Sequence, residues 1–279
     1  MRQTQKSRPK QGKRSPYLTL WTLLFCVGCG LLLLNITGVV WPNDKREALG
    51  GIVLSYEQAS DKLEQLAHGS EPNKQAVTAI MNVIHDSMHY TWPQDEGTVP
   101  LRENWILYLG SFFDSQVFKF HLSPSRHYFS QYQYFDYDKA LRRGFGICSQ
   151  IAMTLSGFLE EKLGIPYQVL GLEGHVCTVV QLPDGTEFVA DPSANVIIPW
   201  TIDSFADHMA DISEIYQQTQ YPKLAALYDD SGNTILPSPR IATPTAYALE
   251  KYSYRLIWII PFLLQLPMGL YLVSKNVQR

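Results

Sequence analysis

The sequence predicts an α+β domain held between two membrane-spanning helices. Three observations predict it. Long uncharged apolar runs lie near both ends of the chain, an apolar helical segment follows a glycine-rich loop at 142–146, and short strands joined by turn residues come directly after that helix. A helix succeeded by antiparallel strands is the pattern of α+β architecture.

The first apolar run extends from Tyr17 to about Trp41 without a charged residue, and the second from about Leu256 to Val273. About 20 apolar residues suffice for a helix to cross the hydrocarbon layer. Pro261, Pro267 and Gln265 interrupt the second run, and proline is better tolerated in a spanning helix than in a soluble one. The first run is longer than the apolar part of a signal peptide and has no small-x-small cleavage site behind it, so it is expected to remain as an anchor. The chain therefore divides into a basic tail (1–16), a span (17–41), a domain (42–249, core about 74–200), a second span (255–274) and a short tail (275–279).

Charge sets the expected orientation. Arg2, Lys6, Arg8, Lys10, Lys13 and Arg14 precede the first span with no acidic residue among them, and such clusters stay on the cytoplasmic side. Both termini are then inside and the domain lies outside the membrane, at the outer face of an inner, or plasma, membrane. From Pro42 to Leu249 there are 13 Lys and Arg against 25 Asp and Glu, a formal charge of −12. A domain that acidic repels phosphate backbones, so nucleic acid is not an expected partner; the lipid bilayer is.

Within the domain, Glu47–Leu66 and Lys74–Met88 read as amphipathic helices, the latter with Val77, Ile80, Met81 and Ile84 on one face. The aromatic-rich stretch 90–137 lacks clear periodicity. Arg142-Arg143-Gly144-Phe145-Gly146 reads as a glycine-punctuated loop, and a helix is expected from Cys148 to Leu163, capped by Gly164 and stopped by Pro166. Strands are expected over 167–172, 174–182 and 186–191, then a helix over 202–227 and a linker over 237–244.

Two short motifs carry chemistry. Cys148 begins the expected helix, and a helix N-terminus lowers the pKa of a thiol. The turn Leu182-Pro183-Asp184-Gly185 suits a type I turn with a G1 bulge, which pairs Leu182 with Thr186. Propagating that register places Asp191 opposite Cys177 and diagonal to His175, within reach of a side-chain hydrogen bond. A register slip of one residue would put Asp191 on the other face.

Gly144-Phe145-Gly146-Ile147-Cys148-Ser149-Gln150, Gly174-His175-Val176 and Asp191-Pro192-Ser193 together resemble the transglutaminase-like superfamily. The resemblance covers roughly residues 138–200. It implies a papain-like core, a Cys148 nucleophile, His175 as base and Asp191 as the group orienting it, with thioester chemistry. No cofactor is expected. Many members carry an aromatic residue where this chain has Cys177, which leaves open a Cys148–Cys177 disulfide beside the plainer reading of a small space-filling residue. The expected substrate is an amide or ester on a peptide, protein or polysaccharide at the membrane surface. Two rivals stand beside it: a non-catalytic binding or structural module of an envelope assembly, and an arylamine-acetyltransferase-like enzyme, for which an acyl-coenzyme donor is out of reach outside the membrane.

Other motifs weigh less. His85 and His89 have the i, i+4 spacing of metal ligands on a helix, but Asp86 stands where the zincin pattern needs Glu, and packing or surface roles are the commoner fate. Asn35-Ile36-Thr37 matches a glycosylation acceptor yet lies within the first span. Asp229–Asn233 is a loose match to a calcium loop, and Trp92, Trp105 and Tyr128, Tyr132, Tyr134 and Tyr137 are either a carbohydrate or peptide groove or, more commonly, core.

Overall fold

The computed structural model describes residues 16–41, 53–69, 71–91, 99–116, 132–229, 232–238 and 243–277. Residues 47–52 of the first expected amphipathic helix lie outside these; the described helix begins at Tyr56. The chain forms helices α1 (Pro16–Val40), α2 (Tyr56–Gly69), α3 (Lys74–Ser87), α4 (Trp105–Gln116), α5 (Tyr137–Arg143), α6 (Cys148–Leu163), α7 (Met209–Gln217) and α8 (Pro244–Val277). Its strands are β1 (His89–Tyr90), β2 (Phe145–Gly146), β3 (Gln168–Leu172), β4 (His175–Gln181), β5 (Glu187–Asp191), β6 (Val196–Ile198) and β7 (Thr234–Pro237).

Five strands make one antiparallel sheet in the order β6-β5-β4-β3-β7, and β1 and β2 pair in parallel. The class is α+β, as expected. Strand alternation sends Val180, Phe188 and Ala190 to one face, against Ile151, Leu155 and Phe158 of α6 and the buried sides of α2 and α3. Leu170, Cys177, Val179 and Val189 point to the other, against Phe205, Ile212, Tyr216 and Tyr228.

The β4–β5 register is the one the turn demands. Thr178 pairs with Ala190 and Gln181 with Glu187, while the Leu182 N–H donates to the Thr186 carbonyl at 2.8 Å. Gly185 occupies the left-handed region at φ 87°, where a Cβ would be strained, and the Thr186 N–H is held by Asp184 Oδ1 at 2.8 Å.

Three expectations are corrected. Residues 142–146 are not a loop: Asp136 caps α5 through the N–H groups of Asp138 and Lys139, Gly144 ends it at φ 74°, and Phe145–Gly146 pair with β1. The expected helix over 202–227 is broken. Short 3₁₀ turns span Ile202–Ser204 and Ala206–His208, α7 ends at Gln217, and a 3₁₀ segment covers Pro222–Asp229. Pro222 lacks an N–H and disfavours helical geometry before it. The stretch read as a linker opens on the last residue of β7, whose pairing with β3 is a long-range choice: Gln168 opposes Pro237, and an edge strand tolerates that proline.

Helices α1 and α8 are each long and apolar enough to cross a membrane. They lie side by side, with Leu23, Leu33, Val39, Phe262, Leu263 and Leu270 turned outward. Pro261 removes the N–H that would bond the Ile257 carbonyl one turn earlier. Asn35 Nδ2 donates to that carbonyl at 2.5 Å from the neighbouring helix, repairing the gap. Above this level α8 is fixed to the domain: Glu250 accepts from Tyr132 Oη at 2.6 Å and from the N–H groups of Phe135 and Asp136 at 3.1 Å, and Asn104 Nδ2 donates to Ser253 Oγ at 3.0 Å.

Asn35→Ala is therefore expected to destabilise the protein by about 0.6–1.7 kcal/mol, the range of hydrogen bonds between spanning helices. In a Pro261→Ala background, where the helix makes its own bond, the same substitution is expected to cost little. Denaturation of the four proteins in detergent measures the coupling; equal costs in both backgrounds would contradict it.

Candidate active site

Cys148 is the first residue of α6. Ile147 before it has extended backbone (φ −82°, ψ 177°) and supplies no side-chain cap. The entry is tight. A Cβ on Gly146 would come 2.5 Å from Gln150 Cβ, and Gln150 cannot yield: buried, it bonds both backbone groups of Tyr134 and takes a hydrogen bond from Arg143 at 2.8 Å.

His175 opens β4 and Asp191 closes β5, so the register brings them together. His175 Nε2 and Asp191 Oδ2 lie 2.8 Å apart, both side chains buried. The buried carboxylate is satisfied from several sides: Oδ2 also accepts from Tyr216 Oη at 2.7 Å, and Oδ1 from the N–H groups of Ser193 at 3.0 Å and Ala194 at 3.2 Å. That many donors offset the cost of burying a charge.

Burial opposes protonation of His175, but the hydrogen bond to the Asp191 carboxylate, with the nearby Cys148 and Cys177 sulfurs adding to it, outweighs that and raises its pKa. Burial also opposes ionisation of Cys148. The neighbouring His175, with the N–H groups of Val176 and Ser149, prevails and holds the thiol below its ordinary value. Both shifts favour the same pair, thiolate beside imidazolium. With Nε2 committed to Asp191, the other ring nitrogen, Nδ1, is buried without a hydrogen bond to any described residue.

Tyrosines absent from the sequence reading complete the site. The β1–β2 pairing sets Tyr90 beside Cys148; burial first, then the Cys148 charge, raise the pKa of Tyr90. Its ring packs on Tyr221 at 5.6 Å between centroids. Behind His175, Cys177 lies 3.3 Å from Tyr228 Oη, which lies 2.8 Å from Tyr216 Oη. Burial, then the Asp191 charge, push the Cys177 thiol up to about 11. Because Tyr216 gives its proton to Asp191, the chain has one consistent direction, from Cys177 through Tyr228 and Tyr216 to the carboxylate. Cys177 is thus a protonated core residue.

His175, Cys177 and Asp191 place one potential metal-ligand atom each within 4.8 Å of one another. A metal there would need Cys177 as thiolate and the Nε2–Oδ2 bond broken, so the donors present suit hydrogen bonding better.

The other sequence motifs do not converge here. His85 bonds the Pro192 carbonyl through Nδ1 at 2.9 Å, while His89 falls beyond the end of α3 in β1, because Met88 is already extended (φ −127°, ψ 124°); the expected i, i+4 pair on one helix is not formed. Tyr132 and Tyr134 are core residues, and Tyr137 packs edge-on against Phe158. Trp92, Tyr128 and positions 230–231 of the loose calcium motif lie outside the described residues. Asn233 donates to the Tyr228 carbonyl at 3.1 Å as part of a turn. Comparison with protein-family models, with curated proteins and with solved structures finds no match.

Tyr216→Phe removes a hydrogen bond to a buried charged group and is expected to cost about 1.5–3 kcal/mol. The unfolding midpoint in denaturant checks this, and an unchanged midpoint would show that the tyrosine chain does not support Asp191.

Proposed function

We propose that this protein is a membrane-anchored thiol enzyme of the transglutaminase-like type, acting on an acyl group outside the cytoplasmic membrane. The observation that carries the reading is the pairing of a lowered Cys148 thiol with a His175 held by Asp191. A nucleophile beside a base that a carboxylate orients is the general arrangement of nucleophilic catalysis.

In the proposed reaction the Cys148 thiolate attacks the carbonyl carbon of an amide or ester. The developing oxyanion is received by N–H groups at the uncapped start of α6. The imidazolium of His175 gives its proton to the departing amine or alcohol, the C–N or C–O bond breaks, and a thioester remains on Cys148. Neutral His175 then takes a proton from water or from an acceptor amine as it attacks the thioester. The products are a free acid or a new amide; Cys148 leaves as thiolate and His175 is again imidazolium, the starting pair. Asp191 holds the ring and balances its charge throughout.

The substrate class that suits the location is a peptide, protein or polysaccharide-linked acyl group reaching the outer membrane surface. This rests on the basic tail before α1, which favours both termini inside, and on the strongly acidic composition of the intervening domain.

The test is turnover by the full-length protein in lipid nanodiscs, supplied with glutamine-containing peptides and a fluorescent primary amine, and with ester analogues in water alone. Amine incorporation or acid release is expected from the native protein. Cys148→Ala is expected to abolish it, and His175→Ala to lower it by about 10²–10⁴-fold. Turnover that survives Cys148→Ala would refute the proposal, and complete inactivity on every donor would favour a binding module.

A further inference from the structure

A second polar site lies at the base of the domain, away from Cys148. A cavity of about 570 Å3 opens where α8 meets α5 and the C-terminal half of α6. Its charged lining sorts into two groups. Lys139 is paired with Asp136 and lies over the Tyr254 ring, and Glu250 is occupied by Tyr132, Phe135 and Asp136. The side chains of Glu160, Glu161, Lys251 and Arg255 make no hydrogen bond or ion pair with any described residue. Tyr167 also lines the cavity; it is only 7% exposed, and its hydroxyl is buried without a partner. A buried hydroxyl left unpaired is costly, which marks a place where a polar ligand completes the structure.

Position narrows the ligand. Lys251 and Arg255 lie one helical turn apart on α8, and Arg255 directly precedes the apolar stretch whose Leu256, Ile259 and Phe262 face outward. With α8 across the membrane, both cations sit at headgroup depth, where they attract lipid phosphate. The two unpaired carboxylates, Glu160 and Glu161, come from the domain side. Two cations and two carboxylates lining one cavity match a ligand with its own separated charges. A headgroup bearing only negative charge would be repelled by the carboxylates.

We infer that this cavity binds the headgroup of a zwitterionic phospholipid, with its phosphate on Lys251 and Arg255 and its ammonium toward Glu160 and Glu161. The site requires α8 to cross the membrane but does not depend on catalysis by Cys148.

The experiment is native mass spectrometry of the full-length protein. It is released from bilayers containing equal parts of phosphatidylethanolamine, phosphatidylcholine and phosphatidylglycerol. Retention of a zwitterionic lipid over phosphatidylglycerol by about fivefold is expected, with the ratio falling to near one in Lys251→Ala/Arg255→Ala. Glu160→Gln/Glu161→Gln, which leaves α8 untouched, is expected to abolish the same preference. Equal retention of all three lipids by the native protein, preference for phosphatidylglycerol, or a ratio unmoved by both double variants would overturn the site. Soluble glycerophosphoethanolamine binding as tightly as the lipid would also overturn it, assigning the cavity to a headgroup carried by something other than the bilayer.

Discussion

The site depends on the register between β4 and β5. The turn at 182–186 is closed by the Leu182–Thr186 hydrogen bond, the left-handed Gly185 and the Asp184 side chain. With that turn fixed, His175 and Asp191 fall diagonally on one face and meet at 2.8 Å. A slip of one residue would exchange the faces of the whole strand, turning Asp191 away from His175 and Phe188 away from the α6 core. The packing that excludes water from the carboxylate and the pairing that satisfies it are set by the same few turn residues.

Cys148 is brought to that pair by a different part of the chain. Its helix is anchored by the Ile151, Leu155 and Phe158 face, and its entry is fixed by Gln150 wedged against Gly146. The same Gln150 ties to Tyr134 and Arg143, and Tyr134 Oη reaches Glu103 at 3.0 Å. Glu103 also accepts from Tyr254 Oη on α8. A continuous set of buried and half-buried polar contacts thus runs from the start of α6 to the long apolar helix α8. Each link is a polar group that must find a partner once buried, so the domain and α8 are packed as one unit.

Legibility in the sequence followed locality. The β4–β5 register, the extent of α6 with its Gly164 cap, and α1 were readable because turn chemistry, helical period and apolar length are short-range signals. His175 meeting Asp191 was readable for the same reason. Tyr90, Tyr216 and Tyr228 were not, because each reaches the site through pairings over long sequence separations: β1 on β2, and α7 with the 3₁₀ segment against the far face of the sheet. Nothing in the order of residues near Tyr216 signals that its hydroxyl meets a carboxylate 25 positions earlier. Strand β2 was hidden by its two residues and its glycines, which read locally as loop. The break at Pro222 was a local signal that the apolar spacing over 202–227 masked.

The central claim is that Cys148 is an activated thiol because His175 sits beside it. The most direct measurement is the rate of Cys148 alkylation by iodoacetamide as a function of pH, in the native protein and in His175→Ala. A positive imidazolium favours the thiolate, so the native profile should have its midpoint well below the roughly 8.5 of an unperturbed thiol, and reactivity should fall only as the pH drops through that lower value. Removing the imidazole should move the midpoint upward. A native midpoint at or above the ordinary thiol value, or one that His175→Ala leaves in place, would contradict the account.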